Sequence, residues 1–580
     1  AGVNHIFMVT GRGALFLTDS VAGHKQLEGI STHHEQAASF AAVAYSQFTN
    51  NMGACLVSTG CAGTNTLTGV LNAWQDGIPC IFISGQNKLK ETSRYTGIPI
   101  RTYGQQEADL IPIVNPITKY STMITDPKQI VFEMEKAIVF SQEGRKGPVW
   151  IDVPLDIQNM RIKPNELNSF NRKKPAELKP TIKDLNYLKD AILHSNRPVI
   201  LIGSGVRSAQ AITYFENFIE KHPFPVVFSG SSPDIYDQEK KFSIGSVGIM
   251  GCTRSGNFTI QNSDLVIVLG SRMSSMTIGP DCSKFARSAK IIVVDIDKVE
   301  HSKNTKKIDY FIFSDVKYFL VSIINMKLKK TETKWINKCL EWKSIFPRNE
   351  KKVDTAGKVD LYHLAECISE TIPDNTIFIS DSGLIELVLP TNIIFKKDQR
   401  CIHPVSQGSM GFALPAIIGA YYASNSKIVS VIGDGSIMMN LQELETIQYK
   451  NIPAKIFVIN NNAYAVIRKR QKELFRSRTI GTDSSDGISC PNFKKIAQGF
   501  NIEYARISTS LNLKQKIKSI LDIEGPVLCE VMGLEDQDYI SSSHTRDSNG
   551  RIVNRPLEDQ SPYLDRQLFL SEMIIDPIDQ

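Results

Sequence analysis

Two short polar motifs follow apolar, strand-like runs in the second half of the sequence. Gly433-Asp434-Gly435-Ser436 comes directly after the run 428–432, and Asn460-Asn461-Asn462 follows the run 456–459. Carboxylate and amide oxygens are hard donors that suit magnesium, and glycines let the backbone approach phosphate oxygens. Together the two motifs predict a site for a diphosphate and its magnesium ion.

The elements around these motifs should bring them together. Both runs are short and β-branched, as buried parallel strands are. Between them, apolar residues recur at helical spacing at Leu441, Leu444 and Ile447, and Glu443 is expected to face solvent. A strand-helix-strand crossover is right-handed, so both strands end at the same edge of the sheet. Asp434 and Asn461 should therefore lie side by side where α/β sheets bind ligands.

Each motif has a plainer interpretation. Gly-Asp-Gly-Ser is a common strand-to-helix turn, and an asparagine run is a common loop. Taken singly, either motif favours that interpretation. Their joint position at the predicted edge of one crossover unit favours the diphosphate site instead.

This pattern resembles the signature of thiamine-diphosphate enzymes, which is Gly-Asp-Gly, a crossover and Asn-Asn. The resemblance implies Asp434, Asn461 and the carbonyl of Ala463 as magnesium ligands, with Tyr464 as a further residue of the cofactor site. Members of the family usually carry glycine where Ala463 stands. The carbonyl of alanine can still bind the metal, but alanine allows a narrower range of the backbone angle φ than glycine does.

Motifs in the first part of the chain match the acetolactate-synthase branch of that family. They are Ser31 to Ala38, Thr59 to Asn65 and Ile83 to Gln86, in that order. By resemblance, Glu35 is the catalytic carboxyl that hydrogen-bonds the cofactor's aminopyrimidine ring, a task that favours a raised pKa in an apolar site. Without the resemblance, the sequence predicts only that Glu35 is a solvated or dipole-pairing acid in the first turn of a helix. The adjacent imidazoles of His33 and His34 lack the spacing of two metal ligands on one helix face.

Further motifs match the remaining cofactor contacts. Gly383 follows Asp381-Ser382, and Gly408 precedes Met410. The resemblance makes Met410 the apolar wedge that bends the cofactor, although a methionine here is also compatible with ordinary core packing. Gln106 stands in Gln105-Gln106-Glu107, where the family has Phe-Gln-Glu, and is a candidate catalytic residue.

The middle of the chain resembles the flavin-binding domain of acetolactate synthases. The matching positions are Gly251, Arg272 and Asp295. The family has two acids and an arginine soon after the matched arginine, whereas this chain has Ser274, Ser275 and Met276. FAD is therefore left open as a cofactor, and the alternative is a vestigial domain that spaces its neighbours.

Strand and helix patterns alternate along the chain, which predicts the α/β class with three doubly wound parallel-sheet domains. The expected boundaries are 1–162 for a pyrimidine-binding domain, 180–345 for a central domain and 358–545 for a diphosphate-binding domain, with polar linkers between them. Residues 546–580 are expected to form a C-terminal tail. The stretch 541–580 is interpreted either as a flap near the site mouth, with His544 and Arg546 as substrate contacts, or as an inert extension.

Composition narrows the class of protein. Hydrophobic residues make up 42% and charged residues 22% of 580 residues, as in ordinary globular enzymes. The net charge of +6 is dispersed, which argues against a nucleic-acid partner. No apolar run reaches the roughly 18 residues of a membrane span, so no membrane partner is expected. The 10 cysteines lack disulfide or metal spacing, which favours a cytoplasmic location.

The resemblance implies that a 2-keto acid, most often pyruvate, is decarboxylated and that its two-carbon unit passes to an acceptor carbonyl. It also implies a homodimer or homotetramer, because Glu35 and Asp434 would serve one cofactor from two subunits. Arg470 replaces a family tryptophan and lies near Arg468, which favours an acceptor larger and more polar than pyruvate, such as a nucleotide-linked keto-sugar. The alternatives are a simple decarboxylase and a catalytically silent paralogue.

Overall fold

Three α/β domains follow one another along the chain. The structure, a computed structural model, describes residues 2–171, 176–303, 305–546 and 552–578. Each domain is built on a six-stranded sheet in which all the paired strands of the described chain run parallel. The predicted fold class is confirmed.

The first sheet has the strand order β2-β1-β3-β4-β6-β5. Its strands are β1 (His5–Met8), β2 (Glu28–Ser31), β3 (Gly53–Val57), β4 (Cys80–Gln86), β5 (Tyr120–Met123) and β6 (Val149–Pro154). Its helices are α1 (Leu15–Gly23), α2 (Glu35–Thr49), α3 (Cys61–Asn65), α4 (Leu67–Asp76), α5 (Ser93–Thr96), α6 (Leu110–Val114), α7 (Ile130–Gln142) and α8 (Leu155–Gln158).

The central sheet has the order β12-β11-β10-β7-β8-β9, which is the doubly wound order of dinucleotide-binding domains. Its strands are β7 (Pro198–Ile202), β8 (Val226–Ser229), β9 (Ser243–Val247), β10 (Leu265–Leu269), β11 (Lys290–Asp295) and β12 (Tyr310–Phe313). Its helices are α9 (Ile182–Leu193), α10 (Gly205–Ser208), α11 (Ile212–Lys221), α12 (Arg254–Gln261), α13 (Ser275–Ile278), α14 (Val316–Ile323) and α15 (Thr333–Ile345).

The third sheet repeats the topology of the first, with the order β14-β13-β15-β16-β18-β17. Its strands are β13 (Thr376–Ser380), β14 (Arg400–Ile402), β15 (Lys427–Gly433), β16 (Ala454–Asn460), β17 (Glu503–Ile507) and β18 (Val527–Met532). Its helices are α16 (Leu361–Thr371), α17 (Leu384–Asn392), α18 (Ala413–Ala423), α19 (Glu443–Tyr449), α20 (Ala465–Leu474), α21 (Phe493–Gly499) and α22 (Leu513–Leu521).

Helices α2 and α18 join the first and third domains into one core. The backbones pack so closely that a Cβ on Gly419 would lie 2.1 Å from the carbonyl oxygen of Ala41. The rings of Phe40 and Phe412 meet edge to face at 5.4 Å. Because the core is continuous, the start of α2 has a fixed position relative to the third domain.

The tail packs on the central domain. It comprises the hairpin β19 (His544–Arg546) and β20 (Ile552–Asn554), followed by α23 (Arg566–Glu572). Leu557 and Phe569 are buried in the central core, and Glu558 pairs with Arg287. The tail is therefore anchored to the central domain. This does not decide between a flap and an inert extension, and the side chains of His544 and Arg546 lie outside the described part.

The segment between the motifs 433–436 and 460–462 differs from the predicted strand-helix-strand crossover in one respect. A short 3-10 turn, Ser436–Met439, follows the glycines, and α19 begins only at Glu443. Glu443 is fully buried, whereas the sequence placed it on a solvent face. The reason is that the segment before α2 of the first domain contacts Glu443, whose Oε1 accepts from the His33 N–H, and the local pattern does not encode this contact. Within the described residues, no helix has the length and apolar character that a membrane span requires.

Candidate functional site

Asp434 lies at the carboxyl edge of the third sheet, beside the loop 460–463. Strands β15 and β16 pair in parallel, with Gly433 opposite Ile459. The Asn462 N–H donates to Asp434 Oδ2 at 2.7 Å, and the Gly435 N–H donates to Oδ1 at 2.8 Å. The structure thus brings the two predicted motifs together. Burial raises the pKa of the Asp434 carboxyl, a cost that a bound cation would offset.

Asn461 and Ala463 lie next to this carboxylate and are almost fully buried. The left-handed backbone angle of the loop falls on Asn462, whose φ is 56°, so alanine is accommodated at 463 without strain. Within the described residues, no group of three His, Cys, Asp or Glu side chains could hold a metal ion. A magnesium ion here would use one carboxylate, one amide and one backbone carbonyl, which is a donor set that it accepts.

Three glycines around Asp434 leave a space for a ligand. A Cβ on Gly383 or on Gly433 would meet nothing within 4 Å, and one on Gly408 would come no nearer than 3.6 Å to Ser382 Oγ. The buried Gln407 Oε1 and Ser409 Oγ on either side of Gly408 have no hydrogen-bond partner among the described residues. Open space beside unpaired polar atoms is what a polar ligand such as a diphosphate would fill.

Gly435 and Tyr464 form one wall of this space. A Cβ on Gly435 would lie 1.9 Å from the Tyr464 ring, so any larger residue would displace that ring. The Tyr464 N–H is fixed to the Thr482 carbonyl at 2.8 Å. Glycine at 435 is therefore required for two reasons: a side chain would clash with the Tyr464 ring, and it would keep the backbone away from a phosphate group.

Asp381 organises the site, a role that the sequence did not reveal. Its Oδ1 accepts from the Ser436 hydroxyl at 2.7 Å and from the Gly411 N–H at 3.1 Å, and its Oδ2 accepts from the Ala413 N–H at 2.7 Å. Burial raises the pKa of Asp381 to about 6. Ser436, predicted as a cofactor contact, thus donates to Asp381. The sequence signal was the Asp381-Ser382-Gly383 motif after a strand-like run, which predicted cofactor contacts but not these hydrogen bonds of Asp381.

Glu35 is the first residue of α2 and is half-buried. His34 caps the helix, its Nδ1 accepting from the Gln36 N–H. Glu35 Oε2 accepts from Asn65 Nδ2 at 2.9 Å, and Oε1 has no partner among the described residues. One carboxyl oxygen is therefore held in place and the other is available to a ligand.

The start of α2 is fixed by the third domain of the same chain. Glu443 Oε1 accepts from the His33 N–H at 3.0 Å, and Asn440 Nδ2 donates to Gln36 Oε1 at 3.0 Å. Among the described residues, no hydrogen bond joins Glu35 to the loops 433–436 or 460–463. Within one chain, Glu35 thus adjoins the segment after the glycine motif and not the motif itself.

Gln106 lies at the rim of the first domain, at the same sheet edge as Glu35. It has a left-handed φ of 60°, and its carbonyl packs against Gly60, where a Cβ would lie 1.8 Å away. Met410 is half-buried beside Gly411, which has a φ of 78°. Both placements agree with roles at the site, and both roles stay predictions.

The two arginines predicted to contact the acceptor differ in burial and in ion pairing. Arg468 is buried, with Nη1 3.0 Å from Asp483 and Nη2 3.3 Å from Asp536. Arg470 is half-exposed, and its ion-pair partner in the described part of the chain is Glu473, at 3.3 Å. Arg468 is therefore committed to internal ion pairs, whereas Arg470 remains accessible.

The predicted flavin residues are engaged within the chain. Arg272 Nη2 donates to Ser406 Oγ at 3.0 Å, and Asp295 Oδ2 lies 3.3 Å from the His301 ring. Gly251 is wedged against the third domain, where a Cβ would lie 1.6 Å from the Leu387 carbonyl oxygen. Arg272 uses one N–H for Ser406 and keeps its other guanidinium N–H groups, so these contacts neither supply nor exclude a site for a flavin diphosphate, and FAD stays an open prediction.

Family models match all three domains. Residues 1–113 match the N-terminal TPP binding domain of thiamine pyrophosphate enzymes, residues 185–323 match their central domain, and residues 381–531 match their C-terminal TPP binding domain. Together these matches cover more than half of the chain.

Relatives match over almost the full length. The acetolactate synthase large subunit of Cyanidium caldarium is 30% identical over 547 residues, covering 91% of this chain and 90% of the relative. That of Porphyra purpurea is 29% identical, covering 95% and 93%. The acetolactate synthase isozyme 1 large subunit of Escherichia coli K12 is 28% identical, covering 91% of each.

Proposed function

The chain belongs to the acetolactate synthase family of thiamine-diphosphate-dependent enzymes, and from this premise we propose that it decarboxylates a 2-keto acid and passes the two-carbon unit to an acceptor carbonyl. The observation that carries the proposal is the open cradle around Asp434, combined with the available Oε1 of Glu35. Pyruvate is the proposed donor.

The third domain supplies the groups that would hold the cofactor's diphosphate and its magnesium ion. Asp434, Asn461 and the Ala463 carbonyl would bind the metal, and the backbone at Gly383, Gly408 and Gly433 would approach the phosphates. When bound, thiamine diphosphate supplies a nucleophilic carbon and an electron sink for decarboxylation.

Glu35 would act on the proton of the cofactor's pyrimidine ring. Asn65 fixes Oε2, so Oε1 would exchange a hydrogen bond with the ring nitrogen. A partly exposed carboxyl is a poor site for this task, because water competes for the hydrogen bond. Closure by a second chain would remove that water, which supports a dimer or tetramer in which Glu35 of one chain serves the cofactor held by the other.

The acceptor is proposed to be larger and more polar than pyruvate, for example a nucleotide-linked keto-sugar. The support is the exposed Arg470 on α20 and the replacement of an aromatic by Gln105 near Gln106. Arg468 is not proposed as an acceptor contact, because the carboxylates of Asp483 and Asp536 already neutralise its charge.

The test of this function is the first turnover of pyruvate by the purified enzyme with thiamine diphosphate and magnesium, which should release about one carbon dioxide per active site; further release requires an acceptor that takes the two-carbon unit away. We expect release that falls about 100-fold or more in Glu35→Gln, because the acid is removed and the side-chain shape is kept. Pyruvate alone should give little acetolactate. Fast acetolactate formation would contradict the larger acceptor.

Product analysis separates the alternatives. A simple decarboxylase would release free acetaldehyde in proportion to carbon dioxide. A silent paralogue would bind thiamine diphosphate and release no carbon dioxide at all.

The ten free cysteines of the chain support a location in the reducing cytoplasm.

We propose that the central domain works as a spacer without flavin. The purified enzyme should show no absorbance near 450 nm, and native mass spectrometry should detect no FAD. A stoichiometric flavin in either measurement would contradict this view of Arg272 and Asp295.

A further inference from the structure

The closely packed turn Gly11-Arg12-Gly13 presents one exposed arginine at the rim of the first domain. A Cβ on Gly11 would lie 2.5 Å from Ser58, and one on Gly13 would lie 1.7 Å from Thr59 Oγ1. The Gly13 N–H also donates to Ser58 Oγ at 3.0 Å. The turn therefore packs directly against residues 58 and 59, which restricts the backbone on both sides of Arg12.

This position belongs to the same sheet edge as the proposed catalytic acid. The turn follows β1, and Ser58 and Thr59 follow β3; all lie at the carboxyl ends of the strands. Gly60 comes next and packs on the Gln106 carbonyl, and α3 then carries Asn65, which binds Glu35. Arg12 is therefore linked to Glu35 through a short series of packed turns.

The charge of Arg12 is not neutralised. Its Nη1 donates to Gln105 Oε1 at 2.9 Å, and no carboxylate in the described part of the chain lies within ion-pair distance. The Gln105 backbone is itself fixed, since its carbonyl accepts from Asn87 Nδ2 at 2.8 Å. One guanidinium N–H is thus used for orientation, and the others are left for a ligand.

Other arginines near the site contrast with this one. Arg94 on the same rim lies 2.8 Å from Asp109, and Arg470 pairs with Glu473. Arg101 is also exposed and has no ion pair among the described residues, but it lies in a loop and no glycine flanks it. Arg12 is exposed, is oriented by one hydrogen bond and has no carboxylate partner among the described residues, and such a guanidinium is suited to bind a phosphate through paired hydrogen bonds.

We propose that Arg12, oriented by Gln105, is the binding subsite for a phosphate group of the acceptor. The assignment rests on the proposed carboligase function and extends it, because it places the acceptor's anionic handle on the domain that carries Glu35. The shared chemistry is a phosphate ester, whether the acceptor is a nucleotide-linked sugar or a simple sugar phosphate.

The test uses the full-length enzyme saturated with thiamine diphosphate and magnesium, so that the probes do not compete for the cofactor site. Uridine diphosphate and glucose 1-phosphate are titrated by calorimetry against wild type, Arg12→Gln, Arg12→Lys and Arg101→Gln. We expect a probe to bind wild type and to lose about tenfold or more in affinity in Arg12→Gln. Arg12→Lys should retain part of that affinity, and Arg101→Gln should match wild type. The probe that binds better identifies the source of the phosphate.

A second readout does not depend on a variant folding. Phenylglyoxal modification of the wild-type enzyme, mapped by peptide mass spectrometry, should show Arg12 protected by the binding probe and Arg101 unprotected. Binding of neither probe, equal affinity in Arg12→Gln, or protection confined to other arginines would overturn the subsite. Carbon dioxide release from pyruvate is measured separately, so a failure of the proposed function is distinguishable from a failure of the subsite.

Discussion

Single residues at the site are held mainly by backbone N–H groups. Asp434 accepts from Asn462 and Gly435, and Asp381 accepts from Gly411 and Ala413. Such donors do not depend on side-chain rotamers, so the carboxylates keep their positions before any ligand arrives. This preorganisation is the property that a metal and diphosphate site needs.

The position of Asp434 could be predicted from the sequence because its neighbours are local. The strand-helix-strand spacing fixes which residues share a sheet edge, and the structure places Asp434 beside Asn462 accordingly. Asp381 and Glu443 could not be predicted in the same way. Their partners come from segments distant along the chain, and a single sequence does not report such pairs.

Asp152 provides a residue-scale prediction about pH. This buried carboxyl accepts from Ser84 at 2.6 Å and from Gln86 at 3.2 Å, and burial raises its pKa to about 7. A pKa raised in the folded state stabilises the fold below about pH 4, and this stabilisation is lost as the pH rises through 7. The loss is on the order of 4 kcal/mol.

Urea unfolding midpoints at pH 5 and pH 8 test this prediction. Wild type should lose more stability between the two values than Asp152→Asn, which keeps the shape of the neutral acid. The exposed Asp19→Asn serves as the control and should behave as wild type does. Identical pH dependence in wild type and Asp152→Asn would show that Asp152 is not the titrating group.

At the scale of elements, α2 and α19 are coupled. The start of α2 carries Glu35, and its backbone at His33 is bound by the buried Glu443 of α19. Thr446 also donates to Glu443, at 2.8 Å. Hydrogen bonds therefore connect the start of α2, which carries the proposed acid, to the segment after the glycine motif. The strands were predictable from their apolar runs, but the packing of one domain on another was not.

Replacement of Glu443 by alanine should disturb this unit. The His33 N–H and the Thr446 hydroxyl would lose their acceptor in a buried place, which costs about 1–3 kcal/mol. We expect a lower urea midpoint and slower carbon dioxide release, although Glu443 makes no predicted cofactor contact. The adjacent exposed Glu445→Ala is the matched control and should change stability by less than about 0.5 kcal/mol. Equal effects of the two variants would remove the coupling role.

At the scale of the whole molecule, the first and third sheets share one strand order and face each other across α2 and α18. The central sheet has a different order and carries the tail on its core. The alternating pattern of the sequence predicted all three sheets. It did not predict the anchoring of the tail, because that anchoring depends on contacts between segments far apart in the sequence. The hydrogen bond from Gln261 to Glu558, for example, joins residues 297 positions apart.

The arrangement of one cofactor between two chains can be tested by complementation. Glu35→Gln and Asp434→Ala chains carrying different affinity tags are co-expressed, and the mixed oligomers are purified through both tags. If the acid and the metal site come from different chains, each mixed dimer has one intact site, and carbon dioxide release from pyruvate should return to about half of the wild-type rate. Mixed oligomers as inactive as both parents would place the whole site within one chain and contradict the account.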